Sequence, residues 1–188
     1  SKDAVASSSC RSASSHLTDV HSALGVSETG TWIYHGEVGD DGVGRIRRTW
    51  RNGGPSEVIA DGRGAVGRVA ADSRGVVWSE VGPSGPQIWV QYAESAAPIL
   101  VASSAVTDLQ IDSTYVYWIN ASGASKVVRD GSSAAVQVAA AQGVPRRVAQ
   151  TPTYFYWTED VAGLAKVRRV IKTGGSATTP FSTAGSAG

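Results

Sequence analysis

The chain contains no methionine, one cysteine and two phenylalanines in 188 residues. A single thiol, Cys10, cannot form an intrachain disulfide, and it excludes the multi-cysteine zinc sites. Charge of one sign is missing as well: 17 basic side chains stand against 16 acidic ones, a net +1. A nucleic-acid binder usually shows a basic excess, so that class is not expected. Apolar runs last only a few residues, which excludes a membrane-spanning helix. The three histidines, His16, His21 and His35, all fall in the first fifth and carry no motif around them. A Ser-His-Asp triad or a metal centre would rest on composition alone, so no catalytic residue, metal or cofactor is expected. With no methionine at its start, the sequence reads as a processed chain or as a piece of a longer one.

What is abundant is glycine, 22 residues, and a hydrophobic content of 41%, enough to bury a core. Both are organised by a repeat. Val69-Ala70-Ala71-Asp72 leads to Val76-Val77-Trp78-Ser79-Glu80. Leu109-Gln110-Ile111-Asp112 leads to Val116-Tyr117-Trp118-Ile119-Asn120, and Val148-Ala149-Gln150-Thr151 to Phe155-Tyr156-Trp157-Thr158-Glu159. Each Trp lies six residues after the Asp or Thr, and the Trp-to-Trp spacings are 40 and 39. Trp32-Ile33-Tyr34-His35 is a diverged fourth copy, with Tyr34 taken as the counterpart of Trp78, Trp118 and Trp157. A third strand and a closing strand follow in every unit, for example Lys126-Val127-Val128-Arg129 and then Val136-Gln137-Val138. The last closing strand, Thr179-Pro180-Phe181, holds a proline that suits only an edge.

Four short β-branched or aromatic strands per ~40 residues, with no helical periodicity, describe the blade of a β-propeller. The fold class expected is all-β, with four four-stranded blades that stand alone or form part of a larger propeller. The blades are placed at about 20–61, 62–103, 104–143 and 144–183 within a region 20–183. A Ser-rich leader precedes them at 1–19, and a tail follows at 184–188. The leader lacks any apolar run that could offset its ordering entropy. Such segments often follow a removed export signal or lipid anchor, so the expected location is secreted, periplasmic or cell-surface.

Tyr156-Trp157-Thr158-Glu159 is one residue from the YWTD motif, and Lys126-Val127-Val128-Arg129-Asp130-Gly131 matches the strand-then-turn that flanks it. Over roughly residues 20–183 the chain resembles the YWTD-type β-propellers, the class B repeats of lipoprotein receptors. It is also similar to NHL propellers and to bacterial secreted proteins with VYW-type repeats. The resemblance implies a propeller fold and a structural role for the motif acid, which is Glu80, Asn120 and Glu159 in turn. It says little about function, because propellers host many unrelated activities.

Other motifs have plainer roles. Gly62-x-Gly64-x-x-Gly67 has the dinucleotide-binding spacing, but the residues after it read as another strand. Without a helix N-terminus to face a pyrophosphate, the glycines read as a link between blades. Gly39-Asp40-Asp41-Gly42 lacks the alternate carboxylates of a calcium loop and reads as a hairpin turn. Asn120-Ala121-Ser122 is a glycosylation sequon, of consequence only in a eukaryotic secretory pathway. Arg48, Arg129 and Arg169 recur on the third strand, and Arg45, Arg47, Arg48 and Trp50 form the densest basic segment. These six are the candidate ligand-binding residues. The competing role for such charges is cross-strand pairing, with Glu37 facing Arg45 and Glu159 facing Lys166. Tyr34, Trp78, Trp118, Trp157, Asp72, Asp112, Glu80, Asn120 and Glu159 form the structural signature of the repeat.

The function expected is that of a non-catalytic binding or scaffold propeller, exported, with a protein or glycan ligand. Two alternatives stand beside it: a channel-mouth enzyme, a lyase or metal-assisted hydrolase, and a carbohydrate-binding propeller using Trp50, Trp89 or Tyr92. Self-association to complete the propeller is compatible with the repeat.

Overall fold

The computed structural model describes the backbone of residues 23–28 and residues 30–93 and 97–183 in full. The Ser-rich leader, Cys10, His16, His21 and the 184–188 tail lie outside the described residues. Among the described residues, sixteen strands form four antiparallel sheets, each of four strands in sequence order. The first holds Ala23–Glu28 (β1), Trp32–Val38 (β2), Gly44–Trp50 (β3) and Ser56–Arg63 (β4). The second holds Ala65–Asp72 (β5), Gly75–Gly82 (β6), Gly85–Tyr92 (β7) and Ile99–Ala102 (β8). Next come Asp108–Ile111 (β9), Tyr115–Asn120 (β10), Gly123–Val128 (β11) and Val136–Ala140 (β12). The last holds Val144–Gln150 (β13), Tyr154–Val161 (β14), Leu164–Ile171 (β15) and Thr178–Ser182 (β16). The fold is all-β, and the sheets are propeller blades.

Local chemistry sets the hairpins. Between β14 and β15, Ala162 and Gly163 both take positive φ, 50° and 81°, the conformation whose twist matches a two-residue hairpin. The Asp or Thr six residues before each Trp caps the turn after the first strand of its blade. Asp72 Oδ1 accepts the Arg74 N–H at 2.9 Å, and Asp112 Oδ1 accepts those of Thr114 and Tyr115 at 2.9 Å. Thr151 Oγ1 accepts the Tyr154 N–H at 3.0 Å. A short side-chain acceptor at that position replaces a backbone turn bond, which explains its recurrence. The Asp40-Asp41-Gly42 segment is likewise a turn, with Asp41 taken up by the Val43 N–H and by Arg45.

The core lies between blades, because a strand pair alternates its side chains to two faces. Tyr34 and Ile46 of the first blade pack on Val66, Val76 and Trp78 of the second. Val77, Ile88 and Val90 of the second meet Leu109, Val116 and Trp118 of the third. Tyr117 and Ile119 of the third meet Phe155, Trp157 and Val170 of the fourth. Each Trp therefore looks back at the preceding blade, and the residue before it looks forward. Among the described residues, no such apolar cluster joins the fourth blade to the first.

The same logic shifts the assignment in the first blade by one residue. Trp78, Trp118 and Trp157 stand opposite Val69, Leu109 and Val148 of the first strands, and the residue so placed in the first blade is His35, opposite Val26. Tyr34, aligned with the tryptophans on sequence spacing, instead faces the second blade as Tyr117 faces the fourth. Glu37, two residues beyond His35, then falls in register with Glu80, Asn120 and Glu159.

The GxGxxG segment crosses from the first blade to the second. Gly62 and the flanking strands are extended β structure apart from the positive φ of 67° at Gly62, and Gly64 is the single residue between β4 and β5. A Cβ at Gly64 would collide with the Val81 carbonyl. Close backbone approach, not phosphate binding, explains that glycine.

Candidate functional site

The motif acids are placed first, because their chemistry decides whether they are available to a substrate. Trp78 Nε1 donates to Glu80 Oε2 at 2.8 Å, and Arg63, arriving from the end of β4, bonds both Glu80 oxygens at 2.9 Å. In the fourth blade Trp157 Nε1 donates to Glu159 at 3.3 Å and Arg168 donates to it at 2.8 Å. Glu159 is fully buried, and a third donor, the Gln142 N–H, reaches it at 3.2 Å. The guanidinium groups lie above the indoles, Arg63 at 4.2 Å from the Trp89 centroid and Arg168 at 5.7 Å from that of Trp157. The first blade carries the same unit with His35 in place of Trp: Arg47 Nε bonds Glu37 at 2.5 Å, and His35 Nε2 lies 3.8 Å from it. Burial lowers the His35 pKa, partly opposed by Glu37 and reinforced by Arg47. The third blade is the exception. Asn120 and Trp118 both donate to the Ser104 hydroxyl, at 3.1 and 3.0 Å. In register Glu37 does face Arg45 and Glu159 does face Lys166. Their ion pairs nonetheless run diagonally, to Arg47 and Arg168. All three carboxylates are therefore engaged by buried or half-buried donors, Glu37 and Glu159 within their own blades and Glu80 by Arg63 across to the first.

The recurring arginines separate into two positions. Arg48, Lys126 and Arg169 stand opposite Tyr34, Tyr117 and Tyr156, on the forward face. Arg129 instead matches Lys172, as each donates its N–H to the residue before the second strand of its own blade, Thr114 or Thr153. Both bases reach back to the turn-capping acid of the preceding blade. Arg129, only 1% exposed, bonds Asp72 at 2.6 Å, and Lys172 bonds Asp112 at 2.8 Å. Burial pushes the Asp112 carboxyl up, but Lys172 and the turn N–H groups outweigh it and the net shift is downward. Sequence spacing missed Arg63, Arg168 and Lys172, because their partners lie diagonally across a strand pair or in another blade.

Of the candidate ligand-binding residues, Arg129 is therefore enclosed. Arg169 lies 4.7 Å over the Tyr154 ring and bonds the Thr178 hydroxyl at 3.3 Å. The densest basic segment splits by strand alternation. Arg45 and Arg47 project to one face, where Asp41, Asp61 and Glu37 pair with them. Arg48 and Trp50 project to the other. There the Arg48 guanidinium sits 4.3 Å over the Trp32 ring and bonds Glu57 at 2.8 Å. Trp32 and Trp50 pack with centroids 4.5 Å apart, and Trp50 is still 49% exposed. Beside them a narrow cleft is lined by Tyr34, Arg48, Ile59, Gln91 and Tyr92. The other two aromatics considered for stacking differ: Trp89 is capped by Arg63, and Tyr92 is half-buried in that cleft. The surface pairs an indole with a partly neutralised guanidinium, which suits an amphipathic segment better than a small charged ligand. No group of three His, Cys, Asp or Glu side chains placed to hold a metal occurs among the described residues.

No family model and no curated protein matches the sequence. Solved structures do match the fold. A nidogen/laminin complex aligns with TM-score 0.69 at 16% identity, covering 89% of this chain and 65% of that one. A putative TolB from Agrobacterium tumefaciens aligns at 0.64 and 12% identity, covering 81% and 62%. A puromycin-hydrolyzing peptidase of Mycobacterium tuberculosis aligns at 0.62 and 12% identity, covering 88% of this chain and 33% of that one. The chain thus spans a little under two thirds of the first two. At these identities the likeness is one of fold, that of a β-propeller.

Proposed function

We propose that this is a non-catalytic binding propeller whose first blade presents the Trp32–Arg48–Trp50 surface to another protein. The observation that carries the reading is Trp50, a large indole left half exposed beside a second indole and a guanidinium. Tryptophan and arginine are enriched where protein interfaces concentrate their energy. The likeness to a nidogen/laminin complex supports a protein ligand. The rival reading, a channel-mouth enzyme, would draw on Glu80 and Glu159, and both are engaged by Trp and Arg donors. We further propose that the protein is exported, a reading supported by the Ser-rich leader and by fold neighbours of the nidogen and TolB kind, with no helix among the described residues long and apolar enough to cross a membrane.

The test is affinity capture from a secreted or periplasmic fraction with the wild-type chain and with Trp50→Ala and Arg48→Ala. Trp50 is half exposed and Arg48 half-buried, and circular dichroism of both variants checks that the fold is kept. Partners retained by the wild type are expected to weaken by about 10-fold or more with Trp50→Ala. Undiminished capture by both variants overturns the assignment of this surface, and a hydrolytic activity abolished by Glu80→Ala in a folded protein overturns the non-catalytic reading.

A further inference from the structure

One position of the repeat is filled by a bulky side chain in the first, second and fourth blades and left small in the third. The residue on the third strand opposite the Trp position is Arg47, facing His35, in the first blade and Trp89, facing Trp78, in the second. In the fourth blade it is Arg168, facing Trp157. In the third blade it is Ser125, facing Trp118. The missing bulk leaves an open cleft of about 410 Å³ between the end of β8 and the third blade, with the buried Trp118 behind its wall. That volume falls within the range of about 300–1,000 Å³ typical of small-molecule sites.

The lining has changed in charge as well as in size. Elsewhere this part of the blade holds an Arg–Glu ion pair. Here the neutral Asn120 stands in the place of the acid, and the acceptor for the indole N–H is the Ser104 hydroxyl. The walls carry Ser103, Ser104, Ser122, Ser125 and Gln137 beside Val101 and Val136, and none of the lining residues is charged. Gln137 Nε2 donates to the Ser122 carbonyl at 2.6 Å, so its amide is held in place at the rim. Hydroxyl and amide groups alternating with apolar patches match a ligand that is itself neutral, rich in hydroxyls and apolar on its C–H faces. An ionised ligand would give up hydration here with no counter-charge to replace it. We propose that the cavity of the third blade is a binding site for a neutral sugar unit, distinct from the Trp32–Arg48–Trp50 surface and independent of its role.

The test uses the whole chain, titrated with glucose, galactose and N-acetylglucosamine, and with glucuronate and glucosamine as charged counterparts. Saturation-transfer NMR and calorimetry supply the readouts. At least one neutral sugar is expected to saturate, and its charged counterpart to bind at least about 10-fold more weakly. Asn120→Glu with Ser125→Arg rebuilds the ion pair of the fourth blade inside the cavity and is expected to abolish binding. Val136→Trp narrows the entrance from a residue that is 55% exposed, so it reports on the site even if the double variant folds poorly. Saturation by none of the neutral sugars, or equal binding by the Val136→Trp protein, overturns the proposal.

Discussion

Glu159 shows how a single side chain can be committed to structure. Its carboxylate is 0% exposed and meets an indole N–H, a backbone N–H and a guanidinium that is itself 4% exposed. Removing the acid leaves the Arg168 charge buried without compensation, which typically costs about 3–5 kcal/mol. Glu159→Ala is therefore expected to lower the urea midpoint sharply, whereas Glu159→Leu combined with Arg168→Met loses much less. Denaturation of the three proteins checks this, and equal losses would deny the ion pair its role. The motif acid, the Trp and the turn-capping Asp72 and Asp112 are legible in the sequence because each acts within about six residues. Arg63 is not legible, since it reaches Glu80 from another blade across 17 residues.

At the scale of strands, alternation reads directly from residues such as Tyr154 to Glu159, where forward-facing and backward-facing side chains take turns. The proline-bearing last strand, β16, pairs only with β15 and is exposed throughout, as an edge strand holding Pro180 must be. Alternation alone does not identify equivalent residues when a copy has diverged, which is why Tyr34 and His35 exchange places. The crossing between blades tests a different element property. Gly64→Ala pushes a methyl group against the Val81 carbonyl, and backbone on that side cannot yield without moving β6. A loss of about 1–3 kcal/mol is expected, in the range of overpacking substitutions. Chemical denaturation measures it, and an unchanged midpoint would show that the crossing relaxes freely.

For the whole molecule, the decisive feature is the forward face of the fourth blade. Tyr154 and Tyr156 lie 5.9 Å apart at 54°, and the corresponding pair of the third blade, Tyr115 and Tyr117, lies 5.9 Å apart at 55°. The latter pair is covered: Phe155 of the next blade stacks on Tyr117 at 5.2 Å. No blade among the described residues covers the former. A face built like an inter-blade contact leads us to propose that this chain self-associates head to tail in solution. Light scattering of this chain is expected to show a mass that rises with concentration, and Tyr156→Glu to suppress the rise. A constant mass of 19.4 kDa at all concentrations would contradict it.

The sequence by itself determines the repeat, the strand count per blade, the turn caps and the indoles, because all of these depend on neighbours within one hairpin. Tertiary structure alone decides which charges are spent and which surfaces remain. Arg129 meets Asp72 across 57 residues, and Lys172 meets Asp112 across 60. Arg45 and Arg47 part from Arg48 and Trp50 only once the pleat assigns them to opposite faces. Ser125 becomes the floor of a cavity only because its counterparts in the other blades are Arg and Trp. Local chemistry writes the blade, and the stacking of one blade on the next determines what is left exposed to bind.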